Sequence, residues 1–141
     1  MPKGLRHRSR IAALQALFEL EFAANQPDSI LERTIQEKGL VDEGAEFAGN
    51  LVKGVIDNQQ FLDDVIGNFA PAFPVAQLAP MDRNILRLAL YEIMVQKSAP
   101  PKVAVNEAVE LAKEFGAETS PKFVNGVLGS VIADIQNQRN K

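Results

Sequence analysis

The sequence predicts an all-α fold of about six to seven helices in two small packed helical bundles, an N-terminal one over about residues 1–70 and a C-terminal one over about 75–141. Three observations carry this. Apolar residues recur at helical steps through nearly every segment, and none shows the alternation and hairpin turns of strands. Helix breakers punctuate the chain at Asn25-Gln26-Pro27, at Gly39, through residues 70–80 and at Ser98–Pro101. The segment Pro80 to Lys97 is apolar around most of its circumference, as a helix at the centre of a bundle is.

Residues 5–24 read as the first helix, with Ile11, Leu14, Leu17, Phe18 and Phe22 on one face and alanines between them. Asp28 or Ser29 is expected to cap a short second helix to about Lys38, with Ile30, Leu31 and Ile35 inward, and Gly39 to stop it. A longer segment runs from about Asp42 toward Phe69, its apolar side marked by Phe47, Leu51, Val55, Leu62, Val65 and Ile66. Its phase slips near Asn58, where it kinks or divides. The stretch APAFPVAQLAP over 70–80 carries three prolines and no charge, the best candidate for a packed hinge between subdomains. Its apolar part, from Phe73 to Leu78, either covers a homodimer face or closes the core. In the central helix, Asp82 sits in the first turn, where a carboxylate complements the helix dipole.

The C-terminal block VAVNEAVELAKEFGAETSPKFVNGVLGSVI, Val103 to Ile132, reads as two antiparallel helices and an elbow. Ala104, Ala108, Leu111 and Phe115 form the first stripe. Gly116 is placed to end it in the left-handed conformation. Thr119 or Ser120 caps the next helix and Pro121 fits its first turn. Val124, Val127, Leu128, Val131 and Ile135 form the second stripe. Gly126 and Gly129 each cost about 1 kcal/mol inside a helix, so a close neighbouring backbone is expected there. Asn106 and Asn125 are expected to be buried or half-buried and to fix the packing by hydrogen bonds.

With 141 residues the chain is about one domain long. It has no cysteine and one histidine, His7, which excludes disulfides, thiolate metal sites and histidine clusters; no cofactor is expected. No apolar run reaches the ~18 residues of a membrane span and no signal-peptide core follows the start, so a cytoplasmic location is expected. The net charge of −3 hides an asymmetry: residues 1–10 carry Lys3, Arg6, Arg8 and Arg10 and no acid, while the rest holds 11 basic and 18 acidic side chains.

That basic arm is the leading candidate site. Lys3, Arg6 and Arg10 are spaced to share a helix face, with His7 adjoining and Arg8 pointing elsewhere. Cations at a helix start oppose the macrodipole, and a polyanion would compensate them. The alternative is a solvated, disordered start that only aids solubility. Phe18 and Phe69 lie on apolar stripes as core residues or, at a stripe's edge, as platforms for unpaired bases. Glu107, Glu110 and Glu114 with Lys113 read as a solvated face. Arg83 and Arg87 pair with Glu92 or another acid, or form a protein-binding rim. Without a phosphate-binding glycine loop or a catalytic set, the chain reads as a binder rather than an enzyme.

The block VAVNEAVELAKEFGAETSPKFVNGVLGSV, preceded by MDRNILRLALYEI and opened by RHRSRIAALQALFELEF, resembles the NusB family of transcription antitermination factors over nearly the whole chain. The resemblance implies two helical bundles and binding, with NusE, a small-subunit ribosomal protein, to the boxA element of ribosomal RNA leader transcripts. It also implies a role in the antitermination complex of RNA polymerase. RNA contacts then fall on Lys3, Arg6, His7, Arg8 and Arg10, with Phe18, Phe69 and Lys122 beside them. Asp82 holds the place of the family's partner-binding acid. The family often carries tyrosine where Phe18 and Phe69 stand; phenylalanine keeps stacking and loses the hydroxyl. The elbow AETSPK departs from the family at Thr119 and Pro121. Four cations on phosphates give a log–log salt slope of roughly −3, at about −0.7 each for single strands.

Two other readings come from different classes. The same fold serves as the N-terminal RNA-binding module of ribosomal RNA cytosine methyltransferases, which would require this chain to be truncated. A protein-only helical adaptor would leave the basic arm without a role.

Overall fold

The computed structural model describes residues 4–23, 26–72 and 74–139. Lys3 and Phe73 lie outside the described residues. Among those described, the helices are α1 (Leu5–Leu20), α2 (Pro27–Glu37), α3 (Asp42–Asp57), α4 (Gln59–Phe69), α5 (Pro80–Leu90), α6 (Pro101–Phe115) and α7 (Ser120–Arg139), with no strand. The chain divides into two compact units, Met1–Asp57 and Asn58–Lys141. The break at Asn58 is where the apolar phase slips. The division therefore falls before α4 and not in the proline-rich stretch at 70–80.

In the first unit α1 packs on both α2 and α3. Its buried face is mostly small: Ala12, Ala13 and Ala16 beside Leu14 and Leu17. Gly44 of α3 makes room for a side chain of α1, since a Cβ there would stand 2.9 Å from Leu5 Cδ1. The Ser9 hydroxyl bridges the two helices, 2.9 Å from the Leu5 carbonyl and 3.1 Å from that of Gly44. Helix α2 starts two or three residues earlier than expected. Pro27 occupies its first position, its fixed φ suiting a helix start, and Gln26 supplies no side-chain cap. Ile30 and Leu31 point inward. Gly39, at φ 65°, ends the turn, and Leu40 drops back onto Ala12 and Ala48. Arg33 pairs with Glu19, whose hydrogen bond and charge raise the guanidinium pKa above its ordinary value. Phe22 departs from the expected inward face: α1 stops at Leu20, and Phe22 is 67% exposed beyond its end.

In the second unit α5 is central and meets α4, α6 and α7. Ile85, Leu86, Leu88, Ala89 and Leu90 are fully or almost fully buried, and side chains of this size contribute about 1.5–3 kcal/mol each for the larger ones. The helix continues as a π-helical segment, Tyr91–Gln96, in which the Lys97 N–H donates to the Glu92 carbonyl at 2.9 Å; Lys97 then ends it at φ 54°. Arg87 reaches back to α4 and grips Asp63 with two bonds, Nε to Oδ1 at 2.7 Å and Nη2 to Oδ2 at 2.9 Å. Asn84 accepts from Arg87 at 3.3 Å and donates to the Pro80 carbonyl at 2.8 Å. This buried chain of bonds, with the apolar face of Leu62, Val65 and Ile66, ties α4 to α5. Arg83 is also structural. Its Nη1 donates to the carbonyls of Val75 at 3.0 Å and Leu78 at 2.9 Å. It thereby clamps the short 3-10 turn Val75–Gln77 of the proline-rich stretch.

Three expectations for α6 and α7 change. Gly116 is not left-handed; it is extended, at φ −91° and ψ −173°. Its need is steric, since a Cβ there would lie 2.6 Å from Ser120 Cβ and 2.8 Å from the Ala112 carbonyl oxygen. Gly116→Ala is therefore expected to cost about 1–3 kcal/mol by overcrowding, read as a lower urea midpoint. Gly126 and Gly129 are exposed, and outside their own helix no atom of the described residues lies within 4 Å of a Cβ, so the expected close backbone is not found there. Asn106 and Asn125 are likewise exposed rather than buried, because they sit off the stripes of Ala104, Ala108, Val124 and Val127 that close the core.

Candidate nucleic-acid interface

Gly4 precedes α1, adopts φ 85° and accepts the first helical bond, from the Arg8 N–H at 3.1 Å. The first turn has no acidic residue and no side-chain cap. Its positive dipole end and its cations therefore add in the same direction.

The basic residues of this turn are held in different ways. Arg6 and Arg10, one turn apart, both lay their guanidinium groups over the ring of Phe47 on α3, at 5.3 and 5.4 Å from its centroid. The negative π-face holds each cation without neutralising it. Arg6 is exposed, whereas Arg10 is only 3% exposed. Arg6 and Arg10 thus share a face, but the Arg10 side chain is part of the packing between α1 and α3. Arg8 is exposed and points to a different neighbour, donating from Nη2 to the Lys38 carbonyl at 2.9 Å, where the end of α2 leaves an acceptor. His7 is half-buried. Phe47, which arranges the two guanidinium groups, reads in the sequence as a core aromatic; its second role depends on a contact between distant segments and leaves no periodic signal.

Phe18 is half-buried near the end of α1, with Phe22 tilted against it at a centroid distance of 5.1 Å. Phe22, assigned to the core from its spacing, is the most exposed aromatic among the described residues. In the second unit, Phe69 is the half-buried last residue of α4, and Lys122 is exposed in the first turn of α7. Asp82 lies in the first turn of α5, half-buried, and its Oδ1 is buried with no hydrogen-bond partner among the described residues. Glu110 and Lys113 form an exposed pair at 3.3 Å. Among the described residues no three His, Asp or Glu side chains cluster as metal ligands would, and no helix is long and apolar enough to cross a membrane.

The fold and this turn define a class: an all-helical binding module in two compact units, with a cationic helix start braced on an aromatic ring. The NusB family model matches residues 7–133. A transcription antitermination protein NusB of Dehalococcoides mccartyi is 45% identical over 139 residues, covering 96% of this chain and 97% of its own. That of Chloroflexus aggregans is 46% identical, covering 90% of this chain and 86% of its own. Among solved structures, NusB of T. maritima superposes with a TM-score of 0.84 at 36% identity, covering 93% of this chain and 90% of the other. The chain belongs to the NusB family. A further similar structure, at TM-score 0.83 and 26% identity over 92% of this chain and 97% of the other, is of the antitermination factors NusB and NusE in complex with double-stranded RNA.

Proposed function

We propose that this protein is an RNA-binding transcription antitermination factor that acts with NusE on the boxA element of ribosomal RNA leaders, in the cytoplasm and as a binder rather than an enzyme. The observation that carries the reading is the family match through residues 7–133, which takes in His7, Arg8 and Arg10 of α1. In this proposal Arg6 and Arg8 meet phosphates, with Lys3 and His7 beside them, and Arg10 acts by positioning Arg6 through their shared Phe47 ring. Phe18 and Phe69 offer ring faces to unpaired bases, and Lys122 adds a cation. Charge and stacking are how single-stranded RNA is bound, and they supply affinity more than sequence choice. A second protein on the same RNA adds specificity through effective concentration.

An anisotropy titration with boxA-like RNA, with and without NusE, across a salt series tests the reading. Tighter, salt-sensitive binding in the presence of NusE is expected; no salt-sensitive binding in either arm would refute it. Asp82 is proposed as the partner-facing acid, because it stands in the first turn of α5, at the place of the family's acid, and is only half-buried. Asp82→Ala is expected to weaken NusE binding by about tenfold or more, equivalent to about 1.4 kcal/mol, while RNA binding by the protein alone is kept. An unchanged NusE affinity, measured by calorimetry, would remove Asp82 from the interface.

A further inference from the structure

A cleft of about 570 Å³ lies in the second unit, between the start of α6, the end of α7 and the π-helical segment. This is within the range of about 300–1,000 Å³ usual for ligand sites. Ile93, Val105, Ile132 and Ile135 supply its apolar lining, and Asn106 and Asn125 supply two exposed carboxamides. Neither carboxamide has a hydrogen-bond partner among the described residues. Its charged lining residues, Lys102 and Arg139, are both basic, in a chain that outside residues 1–10 is net acidic.

The local chemistry of α7 is costly without an occupant. Asn125, Gly126 and Gly129 fall within two turns, all poor helix formers, and the glycines cost about 1 kcal/mol each against alanine. Among the described residues neither glycine makes room for a neighbour. Gly129 lines the cleft, and its missing Cβ leaves the α7 backbone open to whatever enters.

We infer that this cleft binds a short aliphatic and acidic peptide segment of a partner protein, its main chain read by Asn106 and Asn125 and its carboxylates by Lys102 and Arg139. A carboxamide carries both donors and an acceptor, so it pairs with the N–H and C=O of a passing peptide. The aliphatic lining suits Leu, Ile or Val side chains. It has no aromatic platform, which sets it apart from a site for single-stranded RNA. The inference is independent of the RNA reading of α1.

The test is panning of displayed random peptides on the full chain, followed by anisotropy with fluorescein-labelled copies of the enriched sequences. Enrichment of aliphatic residues with Asp or Glu is expected, with binding that weakens as salt rises. Asn106→Ala with Asn125→Ala should weaken that binding by about tenfold or more. Gly129→Ala should weaken it too, yet hold or raise the thermal midpoint, since alanine favours helix and its Cβ meets no atom within 4 Å. A lowered midpoint with unchanged peptide affinity would give the glycine a structural role and overturn the inference. Enriched peptides lacking acids, or binding to the double asparagine variant unchanged, would overturn it as well. So would a loss of single-stranded RNA affinity in these variants, which would make the cleft part of the RNA path, or a loss of self-association, which would assign it to a second copy. Unchanged boxA-like RNA binding in every variant keeps the two proposals separately testable.

Discussion

Replacing Arg6 and Arg8 together by alanine is expected to flatten the salt dependence of RNA binding by about 1.4 in log–log slope, two contacts at about 0.7 each for single strands. Affinity at moderate salt should fall by about tenfold or more. The fold should survive. Arg6 is exposed, and a cation–π contact at an exposed site contributes about 0.5–1 kcal/mol. Arg8 gives up one bond to the Lys38 carbonyl, a net loss of about 1 kcal/mol. Arg10→Ala should behave differently. Its side chain is packed against Phe47, so stability falls first and RNA binding falls through the displacement of Arg6. A filter-binding series at several salt concentrations, with circular dichroism as the fold control, separates the two. An unchanged slope for Arg6→Ala with Arg8→Ala would place the RNA elsewhere.

The largest stability effect is expected at Asp63. Its carboxylate is 22% exposed and holds an Arg87 guanidinium that is 7% exposed. Asp63→Ala leaves that cation buried with weaker partners, and breaking such a pair costs about 3 kcal/mol or more. For a chain of this length the loss corresponds to a fall of about 10 °C in Tm. Because the pair joins α4 to α5, the loss should show as weakened protection of α4 amides in hydrogen exchange. Asp63→Leu with Arg87→Met removes both charges and should recover most of the stability, since burying two charges is itself costly. If Asp63→Ala unfolds at the same urea concentration as the parent, the pair contributes nothing to holding α4.

What could be read from residues alone follows from local periodicity. The faces of Leu14 and Leu17, of Leu51 and Val55, and of Val124 to Val131 were legible because helix geometry turns spacing into direction. The break at Asn58 was legible as a phase slip, and the end of α2 as a glycine that accepts positive φ. The shared face of Arg6 and Arg10 was legible by the same rule. Gly116 shows the limit. Its position at a helix end was visible, but whether it served conformation or space depended on Ser120 folding back onto it.

Sequence by itself determined the helices, their buried stripes, the cationic start and the resemblance that led to the family. Only the tertiary structure decided that Arg10 turns inward onto Phe47, that α4 joins the second unit through Asp63 and Arg87, and that Asn106, Asn125 and Gly129 face a cleft. The physical reason is the range of the interactions. Helix propensity and amphipathic spacing act between residues a few positions apart. A guanidinium on a ring, a buried ion pair or an open groove depends on side chains brought together from distant parts of the chain, and no local pattern encodes which ones meet.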